Sequence, residues 1–380
     1  MKKMIYADNA ATTQLDPAAL EAMMQWMQDE YGNASQPYSF ARAPKKALAD
    51  ARAVIAECIN AKPEEIYYTS GGTESDNWAI KGSAFADPDH RATITSQIEH
   101  HAVLHSCAAI ERLQYPVAYL PVDECGTVLP ETLERYISDQ TRLVSIMTAN
   151  NEIGTIQPIK ELAEIAHQHG AVFHTDAVQA VGHIKIDVQE LGVDMLSASA
   201  HKFNGPRGIG FLYIRGGVKL CPFMDGGAQE VKMRAGTENT AAIVGMAAAL
   251  KKNTDALEQN AAHVMALEKL FLSEMDKSGI NYARNGCNTL PGLLSLSFPG
   301  HSGETILHRM DLKGISISTG SACNGSSDEI SHVLQAIRLS EEYALGTIRI
   351  SFGKNNIESE VMVLVESLAQ IIDSSDSIKN

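Results

Sequence analysis

The sequence predicts an α/β protein, a mostly parallel sheet covered by helices on both faces, followed by a smaller α+β unit. Three observations predict it. Short β-branched or apolar runs alternate with helical patterns between residues 66 and 200, the signature of βαβ units. A long helical pattern then runs from about Thr240 into Leu272 and reads as a passage between domains. Beyond it, strands and helices resume in a second arrangement. At 380 residues the chain also exceeds what one hydrophobic core usually serves. The division expected is a large domain over 15–255 and a small one made of 1–14 and 256–380.

Asp16-Pro17 supplies an N-cap and a first-turn proline. Leu20, Met23, Met24, Met27 and Tyr31 follow at helical spacing until Gly32-Asn33-Ala34-Ser35 ends that helix. A second helix carries Leu48, Ala51, Val54, Ile55 and Cys58. Ile66-Tyr67-Tyr68-Thr69 is a strand, and it runs into Ser70-Gly71-Gly72-Thr73-Glu74-Ser75-Asp76-Asn77 and then a helix. Strand, glycine turn and helix start together offer backbone N–H groups and the positive helix end to a phosphate. The turn has neither G-K-[ST] nor G-x-G-x-x-G, so it suits a single phosphate better than a nucleotide, and it also fits a plain strand–helix turn.

Ala92 to Ser96 is the next strand, followed by Glu99-His100-His101 and a helix with Val103, Leu104, Cys107 and Ile110. His100, His101 and His105 invite a metal reading. Neighbouring histidines on a helix diverge, however, and Glu99 is the one acid beside them, so no metal is expected. A histidine at such a junction can instead stack on a planar ring. Val117–Leu120 and Leu143–Met147 are strands on either side of a helix that starts at Leu129-Pro130, and the second leads into Asn150-Asn151-Glu152-Ile153-Gly154. A helix from Ile159 to His169 precedes strands beginning near Ala171 and Asp194. Gly208–Ile214 is a strand whose preceding turn is too short for a crossover helix, which points to antiparallel pairing. Gly226 to Asn239 is a polar, glycine-rich loop. After the long helical region, Leu294–Phe298, Ile315–Ser318 and Thr347–Phe352 read as strands, Glu304–Met310 as a helix, and Val361, Val363, Leu364, Leu368, Ile371 and Ile372 as the apolar face of a closing helix. The polar stretch from Ser374 to Asn380 is expected to fray.

A net charge of −15 argues against a nucleic-acid or anionic-membrane partner. Hydrophobic residues at 44% and charged residues at 20% are ordinary for a globular chain. The first residues lack the apolar core of a signal peptide and no run approaches a membrane span, so a cytoplasmic location is expected. The six cysteines form no C-x-x-C, which speaks against zinc ribbons and thioredoxin chemistry. A disulfide framework is not expected in such a chain, and most of the six read as small buried hydrophobes. Cys323 is different: in Thr319-Gly320-Ser321-Ala322-Cys323-Asn324-Gly325-Ser326-Ser327 it sits among small polar residues, where a thiol is exposed and available as a nucleophile.

The informative stretch lies at the two strands that begin near Ala171 and Asp194. The first runs Ala171-Val172-Phe173 into His174-Thr175-Asp176-Ala177-Val178-Gln179, the second through Ser197-Ala198-Ser199-Ala200 into His201-Lys202. Two buried strands ending this way place an Asp and a Lys on one sheet edge, where open α/β sheets bind ligands. An Asp facing a Lys there suits pyridoxal phosphate, with the lysine joined to the aldehyde and the aspartate paired with the pyridine nitrogen. Taken alone, the pair also reads as a salt bridge at a strand end. A nucleophilic Cys added to that pair and a phosphate cup implies sulfur chemistry on an amino acid.

Seven segments, Asp8–Thr13, Ser70–Asn77, Glu99-His100, Asn150–Gly154, His174–Gln179, Ser199–Lys202 and Gly320–Cys323, occur in an order that resembles the cysteine desulfurases of the NifS/IscS type, within the class V aminotransferases. The resemblance covers essentially the whole chain. It implies the PLP-dependent transferase fold type I, with a mostly parallel seven-stranded sheet, and conversion of L-cysteine to L-alanine with a persulfide left on Cys323. Lys202 would hold pyridoxal 5'-phosphate and move protons at the substrate Cα. Asp176 would keep the pyridine nitrogen protonated, Gln179 would bond the ring oxygen, and His100 would stack on the ring and serve as acid or base. Gly72, Thr73, Ser199 and His201 would hold the phosphate, joined by Thr237 from a neighbouring subunit of a homodimer. Asn151, Arg349 and Asn33 would bind substrate. The persulfide would pass to an acceptor protein for iron–sulfur cluster assembly or tRNA thiolation.

The chain departs from the family pattern at Ala34, Gln36 and Tyr38, and at Val231, where the family carries an arginine. These positions lie on loops that could shape the entrance to the site. The tail that some members use to dock a scaffold protein is short here, which leaves the acceptor open. A selenocysteine lyase or a cysteine desulfhydrase would share most of these residues, and an inactive sulfur-carrier scaffold would share the fold.

Overall fold

The computed structural model of the chain describes residues 4–319 and 330–379. Its strands are β1 (Ile5–Tyr6), β2 (Ile66–Thr69), β3 (Ala92–Ser96), β4 (Val117–Leu120), β5 (Thr141–Ser145), β6 (Val172–Asp176), β7 (Met195–Ser199), β8 (Gly210–Ile214), β9 (Ala283–Asn285), β10 (Leu293–Ser297), β11 (Ile315–Ser316), β12 (Ser318–Thr319) and β13 (Thr347–Ser351). Seven of them form one sheet in the order β2-β8-β7-β6-β5-β3-β4. All neighbours in it are parallel except β8, which runs antiparallel to both β2 and β7, as its short preceding turn requires.

Side chains alternate across each strand, so a two-sided apolar run feeds two cores. On one face Met195, Leu143 and Leu212 pack with Trp78 of the helix Gly72–Phe85 and with Val103, Cys107 and Ile110 of the helix His101–Glu111. On the other, their neighbours Leu196, Val144 and Phe211 meet Leu162 and Ala166 of the helix Ile159–Gln168 and Ile243, Met246 and Leu250 of the helix Thr240–Asp255. The first helix, Pro17–Gln28, is capped as the sequence predicts: Asp16 accepts from the Ala18 amide. Asp16 also pairs with Lys252 and Lys354, which holds its carboxyl down at about 2.

A second core collects Phe271, Met275, Leu294, Leu296, Ile348, Ile350, Leu364 and Leu368 around the antiparallel sheet β12-β13-β10-β9. Ala7 joins it, because β1 lies parallel to β11. The long helical pattern is two helices, Thr240–Asp255 and Leu257–Ser278, broken at Ala256 (φ −105°, ψ 15°). The break lets the first half face the large sheet while Leu267, Phe271 and Met275 of the second face the smaller core. The strand read over Ile315–Ser318 is also two pieces, since β11 pairs with β1 and β12 with β13. The last helix continues to Lys379 through the stretch expected to fray.

The cysteines correct the sequence reading. Cys125 and Cys287 are joined by a disulfide across 162 residues, and of the three free cysteines described, only Cys107 is buried. Spacing could not show that pairing, because the fold alone brings the two segments to a Cα–Cα distance of 5.1 Å.

Leu196 is fully buried between the sheet and its helices. Leu196→Ala should lower stability by about 2–5 kcal/mol, read as a lower denaturant midpoint with an unchanged slope.

Candidate active site

Strand pairing aligns Asp176 with Ser197, so β6 and β7 stop side by side. The short helical turn Ala200–Lys202 then carries Lys202 over the sheet edge. Its ammonium donates to the Ala10 and Ala11 carbonyls at 2.6 and 2.9 Å. The N-terminal segment is fastened there by Thr13, whose hydroxyl donates to the His201 carbonyl at 2.8 Å.

These elements open on a cavity of about 640 Å³, lined among others by Gly72, Thr73, His100, Asn151, Asp176 and Gln179. Ser199, His201, Lys202 and Arg349 line it too. Asn33 and Thr237 are not among its lining residues, and Cys323 lies outside the described residues. Lining residues that the sequence did not single out individually include the charged Asp8, Asp76 and Arg207. Asp76 belonged to the glycine-turn motif, but nothing in its spacing distinguished it from a helix-surface acid.

The glycine turn is built for close approach. Gly71 sits at φ 148°, and a Cβ on Gly72 would lie 2.5 Å from Val178 Cγ2. The two glycines thus bring the start of the helix Gly72–Phe85 to the cavity wall without side chains of their own. Glu74 fixes its start by accepting from the Ser70 amide at 2.9 Å and from Arg234 at 2.8 Å. Arg234 belongs to the 226–239 loop, in which Glu230, Val231 and Lys232 all hold positive φ. Such strain in a β-branched residue needs outside support, and it comes from Glu230, whose carboxylate takes two bonds from Arg52 and one from the Tyr68 amide.

Burial sets the protonation states. The Asp176 carboxyl is pushed up to about 6 by desolvation, opposed by the Val178 amide and by Lys202. Asp76 is raised well above the carboxylate range by burial and by Asp176, and its Oδ1 has no hydrogen-bond partner. Glu99 is pushed up to about 8 by burial, although Ser96 and the Met147 amide both donate to Oε1. His174 is lowered to about 3 by burial, so its 3.8 Å approach to Asp76 is a neutral contact and not an ion pair. His100 is lowered to about 4 by burial and by Lys202. Its Nδ1 accepts from the Ala102 amide, which leaves Nε2 as the protonated nitrogen. His101 and His105 stack on one another at 5.0 Å instead of converging on a common point.

Asn150 and Asn151 divide their work. The Asn150 side chain builds the loop, accepting from the Glu152 and Ile153 amides and donating to the Ile98 carbonyl. Asn151 faces the cavity. Arg349 donates to the Asn151 carbonyl and to Asp8, both at 2.8 Å, and its buried Nε has no partner.

The residues present fit pyridoxal phosphate. A helix start opened by Gly71-Gly72 suits the phosphate, a lysine reaches the cavity, a buried carboxyl stands ready for a cationic ring nitrogen, and the volume falls in the range of cofactor pockets. The class-V aminotransferase profile matches residues 5–364. A cysteine desulfurase IscS of Dictyoglomus turgidum is 46% identical over all of this chain and 97% of that protein. The chain belongs to the class-V aminotransferases, among the cysteine desulfurases. A solved NifS-like protein superposes with a TM-score of 0.92 at 36% identity, covering 98% of this chain and all of that one. SspA in complex with cysteine superposes with a TM-score of 0.82 at 36% identity, covering 93% and all respectively. Among the described residues no helix is long and apolar enough to cross a membrane.

Glu99 gives the site a pH signature. Folded, it keeps its proton up to about 8, whereas an unfolded glutamate releases it near 4.5. The stability linked to it is therefore full below pH 4.5 and is lost as pH rises through about 8. Glu99→Gln, neutral in both states, should lose less melting temperature than the parent between about pH 5 and about pH 9. Equal losses would show that Glu99 ionises freely in the folded chain.

Proposed function

We propose that the chain is a pyridoxal-phosphate-dependent cysteine desulfurase whose nucleophile is Cys323. The observation that carries the reading is that Lys202, Asp176, Gly72-Thr73 and Arg349, drawn from four separated stretches, line one cavity. When bound, the cofactor supplies an electron sink for the substrate Cα. Lys202 anchors it and moves the Cα proton. Asp176 holds the proton of the ring nitrogen, which brings its own raised carboxyl back toward the ionised form. Gln179 meets the ring oxygen and His100 the ring. Gly72, Thr73, Ser199 and His201 surround the phosphate. Arg349 commits two of its five N–H donors to Asn151 and Asp8, and those that remain, with Asn151 beside them, serve the substrate carboxylate.

The thiolate of Cys323 attacks the substrate sulfur, the Cβ–S bond breaks, and the carbon takes up a proton, leaving alanine and a persulfide. The described residues flanking 320–329 support this role. Ser318 and Thr319 line the cavity, Ser331 donates to Glu152 at 2.5 Å, and His332 donates to the carbonyl of Glu99, next to His100. The described residues on both sides of Cys323 thus lie at or beside the site.

A homodimer completes the proposal. Exposed Met24, Met27, Tyr31, Tyr38 and Phe40 flank Asn33 in the sequence, an apolar stretch suited to a second copy. There Thr237 and Asn33 would reach a neighbouring cavity. The persulfide is passed to an acceptor in iron–sulfur cluster assembly or tRNA thiolation.

Cys323→Ala should keep the yellow absorbance of the lysine-bound cofactor and release no sulfide from cysteine in the presence of a thiol reductant. Parental turnover by that variant would sink the persulfide mechanism. Arg349→Lys should raise KM for cysteine roughly 10- to 100-fold, because a point charge replaces a planar donor. An unchanged KM would remove Arg349 from the substrate site.

A further inference from the structure

The Cys125–Cys287 bond joins two loops that both hydrogen-bond to Thr155, four residues beyond the cavity-lining Asn151. Cys125 follows β4 in the chain, and Cys287 lies between β9 and β10. Cys287 is exposed and Cys125 half-buried, so the bond is open to solvent thiols. Between the two half-cystines stands Thr155. Its hydroxyl donates to the Cys125 carbonyl at 2.6 Å and accepts from the Cys287 amide at 3.3 Å. The same loop is held by Leu290, whose amide donates to the Gly154 carbonyl at 2.8 Å, and by the Ile156 amide, which donates to the Asn288 carbonyl at 3.0 Å. One step further along this loop are Asn151, whose carbonyl orients Arg349, and Glu152, which accepts from Ser331.

We propose that Cys125 and Cys287 are a thiol–disulfide modification site, and that the bonded form holds the 150–156 loop, with Asn151 and Arg349, in the arrangement that binds substrate. In the forward step a small dithiol reduces the bond: its two sulfurs join, and Cys125 and Cys287 each leave as a thiol carrying a proton. An organic disulfide such as oxidised glutathione reverses the exchange, taking the electron pair as the two thiols lose their protons. In a reducing compartment such bonds are transient and sensing, and exposed ones exchange most readily. Once the bond is open, Thr155 loses the fixed spacing of its two partners and the loop opens more often. The regulatory consequence rests on the reading of Asn151 and Arg349 as substrate ligands, whereas the loop's response to the bond does not.

Peptide mapping of the cofactor-loaded enzyme, purified without reductant and oxidised with oxidised glutathione, should recover the 125 and 287 peptides linked. Treatment with a phosphine reductant should free them and raise hydrogen exchange at the amides of Ile156 and Leu290 by about tenfold or more, the signature of a local opening. The pair C125S and C287S, singly or together, should match the reduced parent with or without the phosphine. The KM for cysteine, measured by alanine formation in one turnover, should rise on reduction of the parent and stay constant in the variants. Absence of the linked peptide, or exchange at Ile156 and Leu290 that ignores the bond, would overturn the proposal. Exchange that responds while KM does not would overturn the regulation of substrate binding. Failure of both redox forms to make alanine would instead count against the desulfurase reading, with the peptide map and the exchange data unaffected.

Discussion

The site depends on one constraint, the burial of ionisable groups at the carboxyl ends of β6 and β7. Asp176 is removed from water at a sheet edge, and the same edge gathers Asp76, Glu99 and His174, which burial holds near neutrality. An isolated buried carboxylate is costly, so such groups keep their protons or wait for a cation. Lys202 supplies a cation to the cavity, and a protonated ring nitrogen would supply another at Asp176. The edge is thus electrostatically unfinished without a bound group, and the raised carboxyls are the physical expression of that need.

The N-terminal segment connects this edge to the rest of the molecule. Within a few residues, Ala7 enters the smaller core, Asp8 pairs with Arg349, the Ala10 and Ala11 carbonyls accept from Lys202, and the Thr13 hydroxyl donates to the His201 carbonyl. Arg349 and Lys202 therefore share a single short piece of backbone. The break at Ala256 has a related purpose, because two cores cannot both be covered by one straight stripe. The 226–239 loop solves a local problem of the same kind: its left-handed residues are held through one of them, Glu230, by Arg52, which is far from it in sequence.

Much of this was legible residue by residue. Asp16-Pro17 announced a helix start, Ser70–Thr73 a strand–turn–helix, and the turn before Gly210 an antiparallel strand, because each is set by local backbone chemistry. Of the site residues proposed, those on strand ends and tight turns (Gly72, Thr73, Asp176, Ser199, Lys202) line the cavity, since a strand end fixes where its last side chain goes. Asp8 and Asp76 were less visible. Their weight comes from neighbours 341 residues away in one case and from complete burial in the other, and neither leaves a periodic trace.

The sequence by itself determined the alternation of elements, the strand-end chemistry and the family, because these rest on short-range periodicity and motif order. Only the tertiary structure decided that Cys125 bonds Cys287, that the buried Nε of Arg349 has no partner, and that Glu152 and Glu99 receive Ser331 and His332. Each of those facts depends on segments brought together by packing of the two cores, and contact between distant segments is a property of the fold that no local pattern encodes. The same holds for the ends of β6 and β7. Asp176 and Lys202 could be read as a salt bridge in the sequence; in the fold Lys202 donates to Ala10 and Ala11, and the Asp176 carboxyl is left buried at the wall of a cavity.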